Sequence, residues 1–218
     1  MVTTRPTGRG VSKPVAALAV VMAALIVGAV AWAVTRTTSS SGSTATEAET
    51  VVLGDSIAVM SSEELVEATD AQVVAFNGAR WADLGPAVGR TLAERQSPPK
   101  RVAVLLGTND VLALSVSTVD VAPVLDPLED VPCVVVFELP GGSGWTVPTL
   151  NERLRDEADG RPNVEVDDEW ARLANRNRDE EAASWFEDDG IHPAAEGQER
   201  LASAVASGLD RHCGASSG

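Results

Sequence analysis

Histidine and cysteine are scarce in this 218-residue chain, with two of each, and both shortages narrow its chemistry. The cysteines, Cys133 and Cys213, form no C-x-x-C pair, and the histidines, His192 and His212, form no cluster. A structural zinc site is therefore unsupported, and neither metal nor cofactor is expected. His212 sits in what reads as a frayed C-terminal tail, so any chemistry that needs a histidine base falls to His192. Internal repeats are absent, and the length suits one folded domain with appendages.

Negative charge is missing where positive charge is concentrated. Arg5, Arg9 and Lys13 precede the first long apolar run, and no acid does. The rest of the chain carries the remaining basic residues against all 32 acids, within a net charge of −15. So acidic a surface argues against nucleic acid and anionic lipid headgroups as partners. The run itself, 14–34, lacks any charge or polar stripe. At about 1.5 Å per residue it spans roughly 31 Å, the hydrocarbon thickness of a bilayer.

These features predict a cytoplasmic N-terminus (1–13) and a transmembrane signal-anchor helix (14–34), with everything after it outside the cytoplasm. Cleavage at Ala29-Val30-Ala31 or Ala31-Trp32-Ala33 would instead release a secreted protein. The run is longer than a usual signal peptide's apolar core, which favours the single-pass anchor. Residues 35–49 have no bulky aliphatic side chain and are mostly Ser and Thr, a composition that predicts a flexible linker. Residues 214–218 predict a disordered tail on the same ground.

Between linker and tail the chain alternates. Val51–Leu53, Gln72–Phe76, Val102–Leu106, Cys133–Phe137 and Val164–Val166 read as buried strands. Ser62–Thr69, Pro86–Arg95, Val119–Leu128, Thr149–Ala158 and Ala194–Leu209 read as helices. Ser61-x-x-Glu64 suggests a capping box, and Pro86 a first helical turn. Alternation with β-branched strands predicts a five-stranded parallel sheet covered on both faces, with sites at the strands' C-terminal ends.

Chemistry-bearing residues follow four of those strands. Gly54-Asp55-Ser56 places a hydroxyl directly after the first. Asn77-Gly78 follows the second, where a backbone N–H is free to donate. Gly107-Thr108-Asn109-Asp110 follows the third and offers a side-chain amide donor. Asp189-Gly190-Ile191-His192-Pro193 follows the last strand. There an acid three residues ahead of a histidine can orient it within one loop, leaving Asp189 rather than Asp188 as the partner. Each tripeptide alone is an ordinary polar turn; the set and its order carry the information. No G-x-S-x-G is present, since position 58 is Ala, and acid and histidine share one loop, so the other common α/β esterase plan is disfavoured.

In order and content these motifs resemble the SGNH hydrolase family, also called GDSL esterases and lipases. The resemblance covers about residues 50–210. Val52-Leu53-Gly54-Asp55-Ser56, Gly107-Thr108-Asn109-Asp110 and Asp189-Gly190-Ile191-His192-Pro193 match specifically. The block Asn77–Leu84 lacks the family's usual glycine-rich, threonine-containing form. The resemblance implies a flavodoxin-like three-layer α/β/α sandwich over 50–213. It implies Ser56 as nucleophile, His192 as base and Asp189 as its partner. The Ser56 N–H, the Gly78 N–H and the Asn109 amide would form the oxyanion hole.

Together with the apolar run, this predicts a membrane-anchored, extracytoplasmic serine esterase with a monomeric hydrolase domain. Its ester substrate would lie at or outside the membrane, as acyl groups on envelope glycans or lipids. Acyl transfer through the same triad, and a non-catalytic anchored binding module on the same fold, are the alternatives. Trp81 and Trp145 are candidate substrate contacts, whereas Trp170 and Trp185 read as packing residues and Glu138 as a solvated loop acid. Strand four begins at Cys133, and the last helix runs back from His192 to end near Cys213. Both thiols thus fall at one end of the domain, where a disulfide could join them; the sequence does not fix their lateral separation.

Overall fold

In the computed structural model, residues 47–141, 146–179 and 185–214 are described. Five parallel strands form one sheet in the order β2-β1-β3-β4-β5. They are β1 Thr50–Gly54, β2 Ala71–Ala75, β3 Arg101–Leu105, β4 Cys133–Phe137 and β5 Val164–Asp167. This is the flavodoxin-like order, in which ligands bind where the direction of strand addition reverses, at the carboxyl edge. Register keeps that edge even: Gly54 lies beside Ala75 and Leu105, and Phe137 beside Asp167. The valine-rich β1 and β4 are buried along their whole length, as expected of strands covered on both faces.

Alternation along the strands divides the core in two. Val51, Leu53, Val102, Val104, Val134 and Val136 face one layer of helices. That layer holds α3 (Trp81–Ala93), α5 (Ala122–Leu125) and α6 (Thr146–Asp159). Val52, Ala103, Val135 and Phe137 face the other. It holds α2 (Ser62–Thr69), α7 (Glu169–Asp179) and α8 (Ala195–Cys213), with the short α1 (Ser56–Met60) at its edge. A further short helix, α4 (Thr108–Leu112), follows β3.

The helices depart from expectation where local chemistry competes. α3 starts at Trp81, because the Asp110 carboxylate accepts the Trp81 N–H at 3.3 Å; Pro86 therefore lies inside the helix. The helix expected at 119–128 is broken into a 3-10 turn at Val116–Thr118, then α5, then a second 3-10 turn at Asp126–Leu128, with Pro123 and Pro127 starting the later pieces. No capping box forms at α2, where the Ser61 side chain makes no cap bond. Residues 47–49, read as linker, are held against the domain: Glu47 accepts from the Gln96 N–H at 3.0 Å, and Lys100 pairs with Glu49 at 2.6 Å.

The expected transmembrane helix is corrected. Among the described residues no helix is long and apolar enough to cross a membrane. The run at 14–34 lies outside them, as do 1–13, 35–46 and 215–218. The longest described helix, α8 at 19 residues, carries Glu196, Glu199, Arg200, Asp210 and Arg211. The fold established is the sandwich alone. The single-pass anchor rested on that helix and is not carried further.

Cys133 at the start of β4 and Cys213 at the end of α8 are joined in a disulfide, with Cα atoms 5.7 Å apart and a separation of 80 positions in sequence. His212 is not frayed: it lies in α8 and meets the buried Asp167 carboxylate at 3.0 Å.

Candidate active site

The loop after β1 turns sharply into α1. Gly54 is required there, because a Cβ would lie 2.5 Å from the Ala58 Cβ and 2.9 Å from the Leu105 carbonyl oxygen. Asp55 is fully buried. Its Oδ1 caps α1 by accepting the Ile57 N–H at 3.0 Å, and its Oδ2 accepts the Thr108 N–H at 3.2 Å. Burial raises the Asp55 pKa, and these N–H donors oppose the shift. Ser56, the first residue of α1, is thus held by its neighbour's two anchors.

The hydroxyl of Ser56 lies 2.9 Å from His192 Nε2. On the other side of the ring, His192 Nδ1 is 2.6 Å from Asp189 Oδ2. Asp189 Oδ1 accepts the backbone N–H groups of Ile191 at 2.8 Å and His192 at 3.0 Å. The His192 side-chain bond, and after it these two N–H groups, hold the Asp189 pKa down at about 2. The carboxylate is therefore ionised at neutral pH and can only accept. Nδ1 must carry the proton, which leaves the Nε2 lone pair facing the serine hydroxyl.

Asp189 and His192 ride on a hairpin. Phe186 bridges Pro193, the Glu187 N–H donates to the His192 carbonyl at 2.8 Å, and the Gly190 N–H donates to the Glu187 carbonyl at 2.8 Å. Arg178 of α7 holds it from outside. The guanidinium donates to the Gly190 carbonyl at 2.7 Å and to the Gly141 carbonyl at 3.3 Å, and lies 4.1 Å over the Phe186 ring. Burial lowers the Arg178 pKa from its usual value.

The third loop turns at Gly107, whose φ of +128° excludes a side chain. A Cβ there would also lie 2.8 Å from Leu150 Cδ2. Asn109 follows in α4 and donates through Nδ2 to the Ala79 carbonyl at 3.1 Å, drawing the β2 and β3 loops together. Gly78, with φ of +77°, lies exposed in the β2 loop at the same edge of the sheet.

Searched by sequence, the chain matches no protein-family model and no curated protein. Solved structures do match. The C-terminal catalytic domain of peptidoglycan O-acetyltransferase A from Streptococcus pneumoniae is 18% identical, covers 74% of this chain and 92% of its own, and superposes with a TM-score of 0.57. A protein of the G-D-S-L family from Desulfitobacterium hafniense is 18% identical over 73% of this chain and 98% of its own, with a TM-score of 0.59. A GDSL-like lipase from Bacteroides thetaiotaomicron is 15% identical over 74% and 87%, with a TM-score of 0.54. The chain has the SGNH-hydrolase fold. Identity this low establishes fold alone, and the site must be argued from its own geometry.

Within that SGNH frame, Ser56, His192 and Asp189 form one connected line, and Asn109 and Gly78 share their edge of the sheet. Trp81 does not join them. It is fully buried in the core, so the expected substrate contact is corrected: its ring begins a stripe continued by Leu84 and Val88. Trp145 lies outside the described residues. Trp170 is buried and stacks on Trp185 with centroids 6.3 Å apart. Glu138 is not a solvated acid; it is buried and paired with Arg155 at 2.6 Å. Among the described residues no cluster could hold a metal ion.

The structural roles of Asp55, Asp110 and Arg178 were not read from the sequence. The two aspartates sit inside the matched motifs, so their presence was visible but not their backbone partners. Arg178 lies in a polar helix with no motif around it.

Proposed function

We propose that this chain is a serine hydrolase that cleaves carboxylic esters through an acyl-serine on Ser56. The observation that carries the reading is the unbroken hydrogen-bonded line from Ser56 through His192 to Asp189. In acylation, Ser56 Oγ attacks the ester carbonyl carbon while its proton passes to His192 Nε2. Negative charge gathers on the carbonyl oxygen and is met by the Ser56 and Gly78 N–H groups and the Asn109 amide. The carbonyl re-forms as the bond to the alcohol oxygen breaks, and His192 returns the proton to that leaving alcohol. Water then repeats the sequence on the acyl-serine, releasing the carboxylic acid. Asp189, ionised and acceptor-only, holds the imidazole tautomer and stabilises the imidazolium formed in each half.

A second reading is acyl transfer to an alcohol in place of water. The likeness to an O-acetyltransferase domain favours it to that extent, and the same acyl-serine serves both outcomes. The test is turnover of a chromogenic short-chain ester by the full chain, with fluorophosphonate labelling and a Ser56→Ala control. Saponification-type release of free acid supports hydrolysis, whereas product ester formed only with added alcohol or sugar supports transfer. Full activity in Ser56→Ala overturns both, and the fold would then be better read as a binding module.

A further inference from the structure

A cavity of about 200 Å³ opens between the ends of β3 and β4 and the hairpin that carries His192, lined in part by Ile57 and Ile191, the chain neighbours of Ser56 and His192. Ile57, Leu106, Phe137, Leu139, Phe186 and Ile191 are among its lining residues, and Thr108 and Arg178 join them as polar side chains. Arg178 is already engaged by the Gly141 and Gly190 carbonyls. Phe137 and Leu106, both nearly inaccessible, close the cavity at its depth. At its mouth Leu112 lines the same space and is 58% exposed, leaving apolar surface that no part of the described chain covers.

We propose that this pocket takes the acyl chain of the ester, and that the preferred substrate carries a linear aliphatic acyl group rather than acetyl. A cavity of about 200 Å³ has room for a chain of several carbons, far more than an acetyl methyl fills. The acyl assignment follows from the order of events. The alcohol must leave and be replaced by water while the acyl group stays bound to Ser56. An apolar pocket whose inner wall includes the buried Phe137 and Leu106 suits the group that stays. Leu112 gives the chain's far end a surface to cover. The inference rests on Ser56 acting as proposed above.

The test is a series of p-nitrophenyl esters from acetate to dodecanoate, run with the full chain beside labelling by methyl and hexyl fluorophosphonates. Each methylene buried is worth about fourfold, so the four that separate hexanoate from acetate should raise kcat/KM by roughly two-hundredfold, and the hexyl probe should label faster. Leu139→Trp, which fills the pocket, should lower the hexanoate-to-acetate ratio at least about tenfold. Leu112→Glu, an exposed change that spares the core, should lower the octanoate-to-acetate ratio in the same direction and decides the matter if Leu139→Trp does not fold. Turnover that is flat or highest for acetate overturns the pocket assignment and leaves the esterase reading standing. So does a ratio that Leu112→Glu leaves unchanged. An absence of both turnover and labelling overturns the Ser56 reading itself, and this assignment with it.

Discussion

Asp55 accepts the backbone N–H of Thr108 at 3.2 Å, so the loop after β1 and the loop after β3 hold each other in place. The serine loop and the asparagine loop are joined by the residue between Gly54 and Ser56, which faces inward and touches no substrate. Asp55→Asn keeps the shape but can accept only one of the two N–H groups, because its amide is a donor. Leaving one buried donor unpaired should cost about 1–2 kcal/mol. The cost should vary with pH. Burial raises the Asp55 pKa above 3.8 in the folded state. A raised carboxylate contributes stability that is fully present below its unfolded pKa and is lost as pH rises through the folded one. Asparagine has no such contribution. The stability gap between wild type and variant, read from urea midpoints, should therefore narrow from about pH 4 to about pH 8. A gap that widens would place the charged form, not the neutral one, as the better-accommodated state.

Arg178 holds the active-site hairpin through two backbone carbonyls and the Phe186 ring, which makes it a positioning residue. Its two bonds, to Gly190 and Gly141, span the hairpin and the end of the β4 loop. Arg178→Ala should slow turnover by about tenfold, mainly in kcat, because the hairpin's geometry matters most when His192 moves a proton. Lysine can reach one carbonyl but not both in a fixed fork. Arg178→Lys should therefore recover part of the loss. An increase in KM alone, unrelieved by lysine, would make Arg178 a wall of the substrate pocket and nothing more.

The disulfide ties the far end of α8 to β4 across 80 residues of sequence. The start of that same helix follows His192 by only a few residues. In the chain-entropy account a loop of this length is worth about 4 kcal/mol. Replacing both Cys133 and Cys213 by serine should lower the unfolding free energy by about that amount, while kcat at a temperature where the variant stays folded should change by less than about twofold, as the bridge lies at the edge opposite Ser56. Two titratable thiols in the denatured, unreduced protein would contradict the bridge directly.

The strands and the four site loops were legible because each carries a strong local signal: runs of valine buried on both faces, then Gly, Asp or Asn where the chain must turn. α1 and α4 were not, since SIAVM and TNDVL are too short to show a period. α7 hides a narrow stripe of Trp170, Ala171 and Ala174 within EWARLANRNRD. Trp81 was misplaced for a different reason. As a tryptophan beside a site motif it looked like a contact, yet Leu84 and Val88 at helical spacing already marked a buried face. Glu138 is paired by Arg155, a partner on α6 that only the folded chain brings near. The apolar run at 14–34 showed length and composition, which is evidence for a helix of that kind but not an observation of one.

Ser56, His192, Asp189 and Asn109 should fail in different ways when removed. Ser56→Ala should abolish fluorophosphonate labelling, because no other group on the line can form the covalent bond. His192→Ala should come close to that, since a serine hydroxyl without a base is a weak nucleophile. Asp189→Asn keeps the fold but can donate where the carboxylate only accepts, so it favours the wrong imidazole tautomer and should lower kcat with little change in KM. The wild-type carboxylate, with its pKa held at about 2, stays ionised through the pH range in which the protein is assayed. Loss of the Asp189 charge should therefore not shape the rate profile in that range, and Asp189→Asn should reduce the plateau. Asn109→Ala leaves nucleophile and base in place, so labelling should persist at a slower rate. Turnover should fall by roughly 10²–10³, the usual effect of losing one oxyanion donor. The loss should appear in kcat, because the amide meets charge that exists only in the transition state. Asn109 also donates to the Ala79 carbonyl, so thermal unfolding of the variant must be measured beside its kinetics. An Asn109→Ala protein with unchanged kcat and raised KM would make Asn109 a substrate-binding group, and the oxyanion would then need another donor.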